Sequence, residues 1–502
     1  MKRLFALTAI LATLVALLAA SVSSTAVGTD TSKLRKAVTL KGVMTHVNAL
    51  QKIADRNGGT RASGTPGYDA SADYVAQKLR AAGYDVTVQP FTFPFFSETA
   101  PSHFERVSPN PRLYVRDTDY SIMQFSGSGD VTASIVPIDV VIPPAATPSS
   151  TSGCEASDFP AEVTGNVALI QRGTCTFEEK ATNAQAAGAA AAIIFNEGQP
   201  GRTDIINGTL GSPGFTIPVL DSTFAVGEEL YNLDLDGDAV VHITTSTISE
   251  TRSTSNVITE TKGGRTDRVV VLGGHLDSVP EGPGINDNGT GSAVILEVAI
   301  QMAKLGITPT NQVRFAWFGA EESGLFGSEA YVNSLSKRQI KDIALNVNLD
   351  MIASTNYVRF VYDGDGSAGG AKGPTGSATI EDVFVDYFDS QGLATDPTAL
   401  TGNSDYASFT DVGIPVGGLF AGADGLKTEE QAAVYGGTAG EPYHACYHLA
   451  CDTASSVNQM VLDQMADASA HTTLVFAMTS SAVSGTDRSA VTLEQKGPRA
   501  YK

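Results

Sequence analysis

The sequence has little positive charge. Its 502 residues include 33 lysines and arginines against 54 aspartates and glutamates, which gives a formal net charge of −21. The acidic residues are scattered along the chain and form no tail, so they indicate solubility and self-repulsion, and the charge balance argues against nucleic-acid binding. With 42% hydrophobic and 17% charged residues, the chain has the composition of a globular protein with material for two domains.

Cysteine is also scarce. The four cysteines form two separated pairs, Cys154 with Cys175 and Cys446 with Cys451. Zinc ligation by thiols is one interpretation, but neither pair has the CxxC spacing that is typical of it. In an exported protein two local disulfides are the simplest pairing.

Long hydrophobic runs are almost absent. The one at the start, from Leu4 to Ala20, follows Lys2 and Arg3 and precedes small residues up to Ala26. This pattern is typical of a signal peptide. A membrane anchor is the alternative, but the run is marginally short for a bilayer span and no basic cluster follows it. We therefore expect a secreted, extracellular protein that is not attached to a membrane.

The texture of the chain changes along its length. From about residue 126 to 247, short apolar runs alternate with glycine and proline, which is typical of a β-rich domain; after Ser255, strands and helices alternate. We predict a signal peptide (1–26), a propeptide (27–40), the first part of the main domain (41–125), an inserted β-rich domain (126–250), the remainder of the main domain (251–480) and a tail (481–502).

The alternation after Ser255 predicts an α/β fold around a largely parallel sheet. The predicted elements are strands at Val269–Leu272, Val313–Phe318 and Ala344–Leu349, and helices at Ser292–Lys304 and Leu325–Leu335. Ligands of such sheets gather at the carboxyl ends of the strands. Functional residues are therefore expected at these strand ends.

The first strand end carries an imidazole and a carboxylate, His275 and Asp277, which emerge on the same side because they are two residues apart. Asp287 follows in a glycine-rich turn before a helix. An ordinary hydrogen-bonded histidine and a helix-capping aspartate are the alternatives. A metal ligand with an orienting carboxylate also fits this pattern.

The next strand ends carry more carboxylates. Glu321 and Glu322 follow one strand, and Asp350 ends another that is largely apolar. Acidic residues near a helix start are often solvated. A buried carboxylate such as Asp350, however, needs a partner, and a metal ion is a good candidate.

Tyr447 and His448 lie inside the short Cys446–Cys451 loop, with Asp452 directly behind it. A disulfide there would fix these side chains. His444 lies four residues before His448, but Pro442 argues against a helical metal pair, so we expect His444 to be exposed or to contact a ligand.

Five segments in this order, HLD, GINDNGTGSA, WFGAEESGLFGS, NLDM and CYHLACDT, resemble the co-catalytic zinc aminopeptidases of the aminopeptidase Y type over about residues 255–480. The segments NVALIQRGTC and GAAAAIIFN resemble the protease-associated (PA) domain. The resemblance implies a three-layer α/β sandwich around a mostly parallel mixed sheet, interrupted by a β-rich PA domain. It also implies protein contacts as a role for the PA domain.

The resemblance further implies two Zn²⁺ ions per chain. His275 and Asp350 would bind one, Glu322 and His448 the other, and Asp287 would bridge them. Two zinc ions against three carboxylates leave about one positive charge, which favours hydroxide over water between them.

Roles for four more residues follow. Glu321 is the candidate general base and Tyr447 the candidate donor to the oxyanion, while Asp277 and Asp452 would orient His275 and His448.

Removal of the terminal residue alone is implied by the resemblance, in which acidic side chains including Glu321 hold the substrate's free ammonium group. The stretch GNSDYASFTDVGIPVGGLF also fits the family, with an asparagine where some relatives have an arginine. The substrate-binding candidates in it are Asn403 and Asp405, and, for an apolar pocket, Phe409, Leu419 and Phe420.

The sequence thus predicts a secreted metallo-aminopeptidase acting on peptides and proteins with a free N-terminus, with a preference for apolar residues such as leucine. A related zinc carboxypeptidase or a glutaminyl cyclase is one alternative. A binding protein on an inactive scaffold is another, but it predicts lost ligands, and all five are present.

Overall fold

The computed structural model describes residues 29–235 and 239–479. The predicted signal peptide and the predicted tail at 481–502 lie outside the described residues. Within the described part of the chain, no helix combines the length and apolar character needed to cross a bilayer.

The chain forms a large sheet covered by helices. Its strands are β1 (Val86–Ser108), β2 (Arg112–Leu113), β3 (Tyr120–Ile122), β4 (Gly129–Ile138), β5 (Val167–Gln171), β6 (Ala191–Phe195), β7 (Val219–Ser222), β8 (Val240–Glu260), β9 (Arg265–His275), β10 (Asn311–Phe318), β11 (Ile343–Leu349), β12 (Phe360–Tyr362), β13 (Asp396–Thr398) and β14 (Val416–Phe420). Its helices are α1 (Ser32–Ala37), α2 (Leu40–Arg56), α3 (Pro66–Ala81), α4 (Phe177–Ala186), α5 (Phe224–Leu235), α6 (Gly291–Lys304), α7 (Phe326–Ser334), α8 (Lys337–Asp342), α9 (Ser377–Ser390), α10 (Tyr406–Asp411), α11 (Glu429–Tyr435) and α12 (Gln459–Met478).

The strand order is β13-β12-β14-β11-β9-β10-β8-β4-β5-β6-β7-β3, with β1 paired to β8. At the centre of the main domain, β14, β11, β9 and β10 are parallel neighbours. The flanking strands β8 and β12 are antiparallel to β10 and β14. The predicted mostly parallel mixed sheet is therefore confirmed.

The side chains of strand β9 pack against helices on both faces of the sheet, which gives the main domain three layers. Val270 and Leu272 belong to the core on one face of the sheet, together with side chains of α2, α3, α6 and α12. Val269 and Val271 belong to the core on the other face, together with side chains of α7, α8 and α10. Because successive side chains of a strand point to opposite faces, an apolar run buried on both sides is what a central parallel strand requires.

A second unit is built around β4, β5, β6 and β7, which are parallel neighbours, with β3 antiparallel at the edge. Its cores contain Ile193 and Leu169 on one side and Ile170 and Ile194 on the other. Phe104 contributes to the first of these cores, so this unit draws side chains from residues before 126. The domain boundaries stay predictions.

The two units are joined by a long antiparallel ribbon. Strands β1 and β8 pair continuously from Val86 opposite Thr259 to Ser108 opposite Val240, with three register shifts. One end of the ribbon adds to the central sheet through β10, and the other end adds to the second unit through β4. The ribbon thus carries the pairing of the main sheet into the inserted unit.

Candidate metal centre

The carboxyl ends of three central strands form one edge of the sheet. Strand β9 ends at His275, β10 leads into Glu321 and Glu322, and β11 leads into Asp350. Because β9, β10 and β11 are parallel neighbours, these side chains meet at the same edge. Asp287 joins them from the turn that precedes α6.

The first group of side chains surrounds the Nε2 atom of His275. This nitrogen lies 3.2 Å from Asp287 Oδ1 and 3.3 Å from Asp350 Oδ1. Glu321 Oε2 lies 4.0 Å away. The imidazole and the three carboxylates are nearly or fully buried.

The second group surrounds the Nε2 atom of His448, which lies 3.0 Å from Glu322 Oε2 and 3.3 Å from Asp287 Oδ2. Asp287 therefore presents one carboxylate oxygen to each histidine. This is the geometry expected of a carboxylate that bridges two cations.

The donor set fits a pair of divalent cations. Four carboxylates with little exposed surface, those of Asp287, Glu321, Glu322 and Asp350, are gathered around two imidazoles, of which His275 is buried and His448 is 41% exposed. One buried oxygen of this set, Glu322 Oε1, has no hydrogen-bond partner among the described residues. Uncompensated buried carboxylates are costly, and nitrogen and oxygen ligands of this kind suit zinc.

The electrostatics of the protein alone show the excess of acid. Burial by itself lowers the pKa of His448, but its contacts with Asp287 and Glu322 outweigh burial and raise that pKa to about 10. Burial, together with Asp287, raises the pKa of Glu322 to about 7. Burial also raises the pKa of Glu321 well above its usual range. A group of acids that is hard to ionise completely is one that divalent cations would stabilise.

Three residues near these side chains have an unusual backbone conformation. Ala320, Met351 and His448 have positive φ angles of 52°, 46° and 56°. The first precedes Glu321, the second follows Asp350, and the third carries a candidate ligand. Positive φ in non-glycine residues is uncommon, and these three residues are next to or among the candidate ligands.

Asp452 positions the turn that carries Asp287. Its carboxylate accepts hydrogen bonds from the backbone N–H groups of Asn286 and Asp287, at 2.9 and 3.0 Å. It also lies 3.1 Å from Nε2 of His444, which is buried. The sequence interpretation paired Asp452 with His448, but within the described residues its histidine partner is His444. Asp452 therefore positions the turn that carries Asp287.

Asp277 lies behind His275. Its Oδ1 atom is 3.6 Å from His275 Nδ1 and accepts a hydrogen bond of 3.3 Å from the backbone N–H of Glu321. This leaves Nε2 of His275 toward Asp287 and Asp350. One carboxylate thus faces Nδ1 of the imidazole and holds the start of the Glu321 segment.

Tyr447 stacks on His448, with ring centroids 3.8 Å apart and an interplanar angle of 26°. The disulfide between Cys446 and Cys451 closes the loop that carries both rings, and Cys154 is bonded to Cys175. Both predicted disulfides are confirmed. Burial raises the pKa of Tyr447 well above its usual range, so its hydroxyl keeps its proton and is available as a donor.

The substrate-binding candidates are divided by the fold. Phe409 and Leu419 are completely buried in the cores on the two faces of the sheet, so they form no accessible pocket. Both are apolar because they fill the interior. Phe420 is partly exposed and stacks on Phe360. Asp405 is buried, and burial raises its pKa to about 7. Asn403 accepts hydrogen bonds from Thr401 and Tyr406.

Two residues that support the candidate ligands are not predicted from the sequence. Ser404 donates a hydrogen bond of 2.7 Å to Asp350 Oδ2. Arg61 is completely buried and donates to the backbone carbonyls of Leu276, Pro283 and Gly284, on either side of the turn before Asp287. Burial lowers the pKa of Arg61 to about 10, against the opposing effect of Asp277. An arginine 215 positions before Leu276, its first carbonyl partner, gives no local signal, whereas Ser404 lies in the stretch that contains the substrate-binding candidates.

A small cavity of about 50 Å³ opens beside Glu322. The main domain contributes Ser278 and Ser323 to its wall, while the ribbon and the inserted unit contribute Phe95, Phe96 and Gln124. The inserted unit therefore forms part of the rim of the site.

Comparison with known proteins agrees with this architecture. Residues 256–473 match the profile of peptidase family M28, and residues 131–230 match that of the PA domain. The chain is 47% identical over 442 residues to an aminopeptidase of Pseudomonas aeruginosa (strain UCBPP-PA14), covering 88% of this chain and 81% of the relative. It is 39% identical over 429 residues to leucine aminopeptidase 2 of Trichophyton rubrum, covering 85% of this chain and 82% of the relative.

Among solved structures, a zinc aminopeptidase from Bacillus subtilis is similar, with a TM-score of 0.56 and 25% sequence identity over 89% of this chain and 97% of that one.

Proposed function

Because the chain belongs to peptidase family M28 and contains a PA domain, we propose that it is a zinc-dependent aminopeptidase of the aminopeptidase Y type. Its substrates are peptides and proteins with a free N-terminus. The observation that carries the proposal is Asp287, whose two oxygens face His275 and His448 at 3.2 and 3.3 Å.

Two zinc ions are the proposed cofactors. His275 and Asp350 would hold one, Glu322 and His448 the other, and Asp287 would contact both. When bound, zinc polarises the scissile carbonyl and lowers the pKa of water at the site. The support for two ions is the pairing of each histidine with its own carboxylate besides Asp287.

Glu321 is the proposed general base. Its carboxylate lies 4.0 Å from Nε2 of His275, so it borders the ligands without being hydrogen-bonded to them. From this position it can accept a proton from the attacking water and deliver it to the leaving amine. The hydroxyl of Tyr447, which stacks on His448, is the proposed donor to the developing oxyanion.

Selection of the free N-terminus rests on charge. Glu321 is the acidic group proposed to bind the substrate's α-ammonium group, and the buried Asp405 adds negative potential behind it. An N-acylated substrate lacks the ammonium charge and leaves this acidic site without its partner. We expect an apolar preference such as leucine, because the Trichophyton rubrum relative is a leucine aminopeptidase. Phe420 is the remaining apolar candidate with exposed surface.

Secretion is part of the proposal. Its support is the signal-peptide pattern of the first residues and the presence of two disulfides, which form and persist in oxidising compartments.

The test is a matched pair of chromogenic amides, leucine p-nitroanilide and its N-acetyl derivative, each with and without a zinc chelator. The proposal predicts hydrolysis of the free amide, loss of activity with chelator, recovery with zinc, and negligible hydrolysis of the acetylated amide. Hydrolysis of the acetylated substrate alone would contradict it. Release of a C-terminal residue from a blocked peptide would instead indicate a carboxypeptidase.

A further inference from the structure

Two histidines outside the candidate metal centre, His103 and His242, lie on the three-stranded segment formed by β1, β8 and β4. Pairing of β1 with β8 places Glu105 opposite His242 and His103 opposite Thr244. Pairing of β4 with β8 places Asp130 opposite the same Thr244. Four side chains with metal-binding chemistry are thus neighbours on one sheet, arranged around a small residue.

The alternation of side chains puts this cluster on the outer face. Phe104, between His103 and Glu105, and Ile243, after His242, are completely buried in the core of the inserted unit. Because successive residues of a strand point to opposite faces, His103, Glu105 and His242 share the face away from that core. The buried side chains hold the backbone that carries them.

The distances within the cluster are short. Glu105 Oε2 lies 3.5 Å from His103 Nε2, and Glu105 Oε1 lies 3.4 Å from His242 Nδ1. One ligand atom from each of the three side chains can be chosen so that all three lie within 4.8 Å of one another. The two imidazole rings are 5.2 Å apart between centroids.

Asp130 gives His242 a fixed direction. Its Oδ1 atom lies 2.9 Å from His242 Nε2 and accepts a hydrogen bond from it, which leaves Nδ1 facing Glu105. A carboxylate on the far nitrogen of an imidazole is the arrangement that orients metal-binding histidines and strengthens their basicity.

We propose that His103, Glu105 and His242 form a further binding site, for one divalent transition-metal ion of the Zn²⁺ type, with Asp130 as a positioning residue. Two imidazole nitrogens and a carboxylate suit such an ion and disfavour Ca²⁺ and Mg²⁺, which prefer oxygen ligands alone. The three side chains are 37%, 38% and 28% exposed, so water completes the coordination and the ion exchanges. Bound there, it ties β1 to β8 in the ribbon.

The experiment counts zinc ions on the full-length enzyme whose candidate metal centre is already loaded. Isothermal titration with ZnCl₂ is expected to show one additional weaker site in the wild type. His242→Ala and His103→Ala should remove it, and Asp130→Asn should weaken it about 10- to 100-fold. Thr244→Ala, on the same face but without a ligand atom, is the matched control and should keep the site.

Three results would overturn the proposal: no additional zinc site in the wild type, an unchanged site in His242→Ala, or displacement of the bound zinc by excess Ca²⁺. A lower melting temperature of His242→Ala without zinc would mean that this variant does not separate loss of a ligand from loss of folding. In that case the test rests on the zinc affinity of Asp130→Asn compared with that of Thr244→Ala. The experiment measures metal stoichiometry and not turnover. Failure of the proposed further metal site is therefore distinguishable from failure of the proposed peptidase function. Turnover of leucine p-nitroanilide should be the same in His242→Ala and the wild type.

Discussion

At the scale of single residues, the site depends on how each carboxylate is shared. Asp287 directs one oxygen to His275 and the other to His448, and Asp452 accepts hydrogen bonds from the backbone that sets this orientation. Asp277 has a comparable role for His275 and for the start of the Glu321 segment. Asp287 is thus oriented through the backbone by a buried group, and Asp350 accepts a hydrogen bond from the buried Ser404.

Glu321→Ala should lower kcat by about 10²- to 10⁴-fold, because it removes the group that moves the proton. Zinc content should stay at the wild-type level, since Glu321 lies 4.0 Å from His275 Nε2 and is not one of the proposed ligands. Steady-state kinetics together with elemental analysis measure both quantities. Glu281→Ala is the control, because Glu281 is an exposed acid. Unchanged kcat in Glu321→Ala would contradict the role of base.

Arg61→Met should reduce the free energy of unfolding by about 3 kcal/mol, because three buried carbonyl groups lose their donor. It should also weaken zinc binding, since two of these carbonyls flank the turn before Asp287. Denaturant unfolding and zinc titration measure the two effects. Arg56→Met is the control, because Arg56 is exposed at the end of α2. Equal stability of the two variants would show that Arg61 has no such role.

The sequence predicts the candidate ligands better than their supports. Periodicity reveals the strands that position His275, Glu322 and Asp350: His275 ends β9, Asp350 directly follows β11, and Glu322 lies in the turn after β10. Arg61 cannot, because its partners are backbone carbonyls distant in sequence and carry no residue-type signal. The prediction of a pocket at Phe409 and Leu419 is wrong, because apolar residues in a stretch that fits the family can equally fill the core, as these two do.

At the scale of elements, local sequence patterns are sufficient to predict helices and strands after Ser255, where the two alternate. The predicted helix at Ser292–Lys304 corresponds to α6, which begins one residue earlier, and the predicted strand at Ala344–Leu349 corresponds to β11. The ribbon is not predicted from the sequence, because the register of β1 is set by β8, which follows more than a hundred residues later, and not by its own alternation.

Loss of either disulfide should destabilise the protein, but only loss of Cys446–Cys451 should weaken zinc binding. Loss of Cys154–Cys175 by double serine substitution should cost about 3 kcal/mol and leave zinc content unchanged, since it closes a loop with a sequence separation of 21 in the inserted unit. Loss of Cys446–Cys451, with a separation of 5, should cost about 2 kcal/mol and weaken zinc binding, because that loop carries His448.

Thermal unfolding and zinc titration of both double variants test this contrast, and each variant is the control for the other. Equal zinc affinity in the two would show that the shorter disulfide does not position His448.

At the scale of the whole molecule, the site exists because distant segments meet at one edge. Parallel pairing of β9, β10 and β11 brings three strand ends together, and the Cys446–Cys451 loop adds His448 from near the end of the described chain. The ribbon sets the inserted unit against this edge, where Phe96 and Gln124 line the cavity beside Glu322. The parallel order could be predicted from the alternation of strands and helices, but the position of the inserted unit could not, because it depends on the ribbon's long-range register.

The most direct measurement is diffraction at the zinc absorption edge, from crystals of the enzyme prepared with two equivalents of zinc. We predict two anomalous peaks, one among His275, Asp287 and Asp350 and one among His448, Asp287 and Glu322, so that Asp287 contacts both ions. A single peak that leaves one oxygen of Asp287 without metal, or no peak at this sheet edge, would contradict the two-metal site.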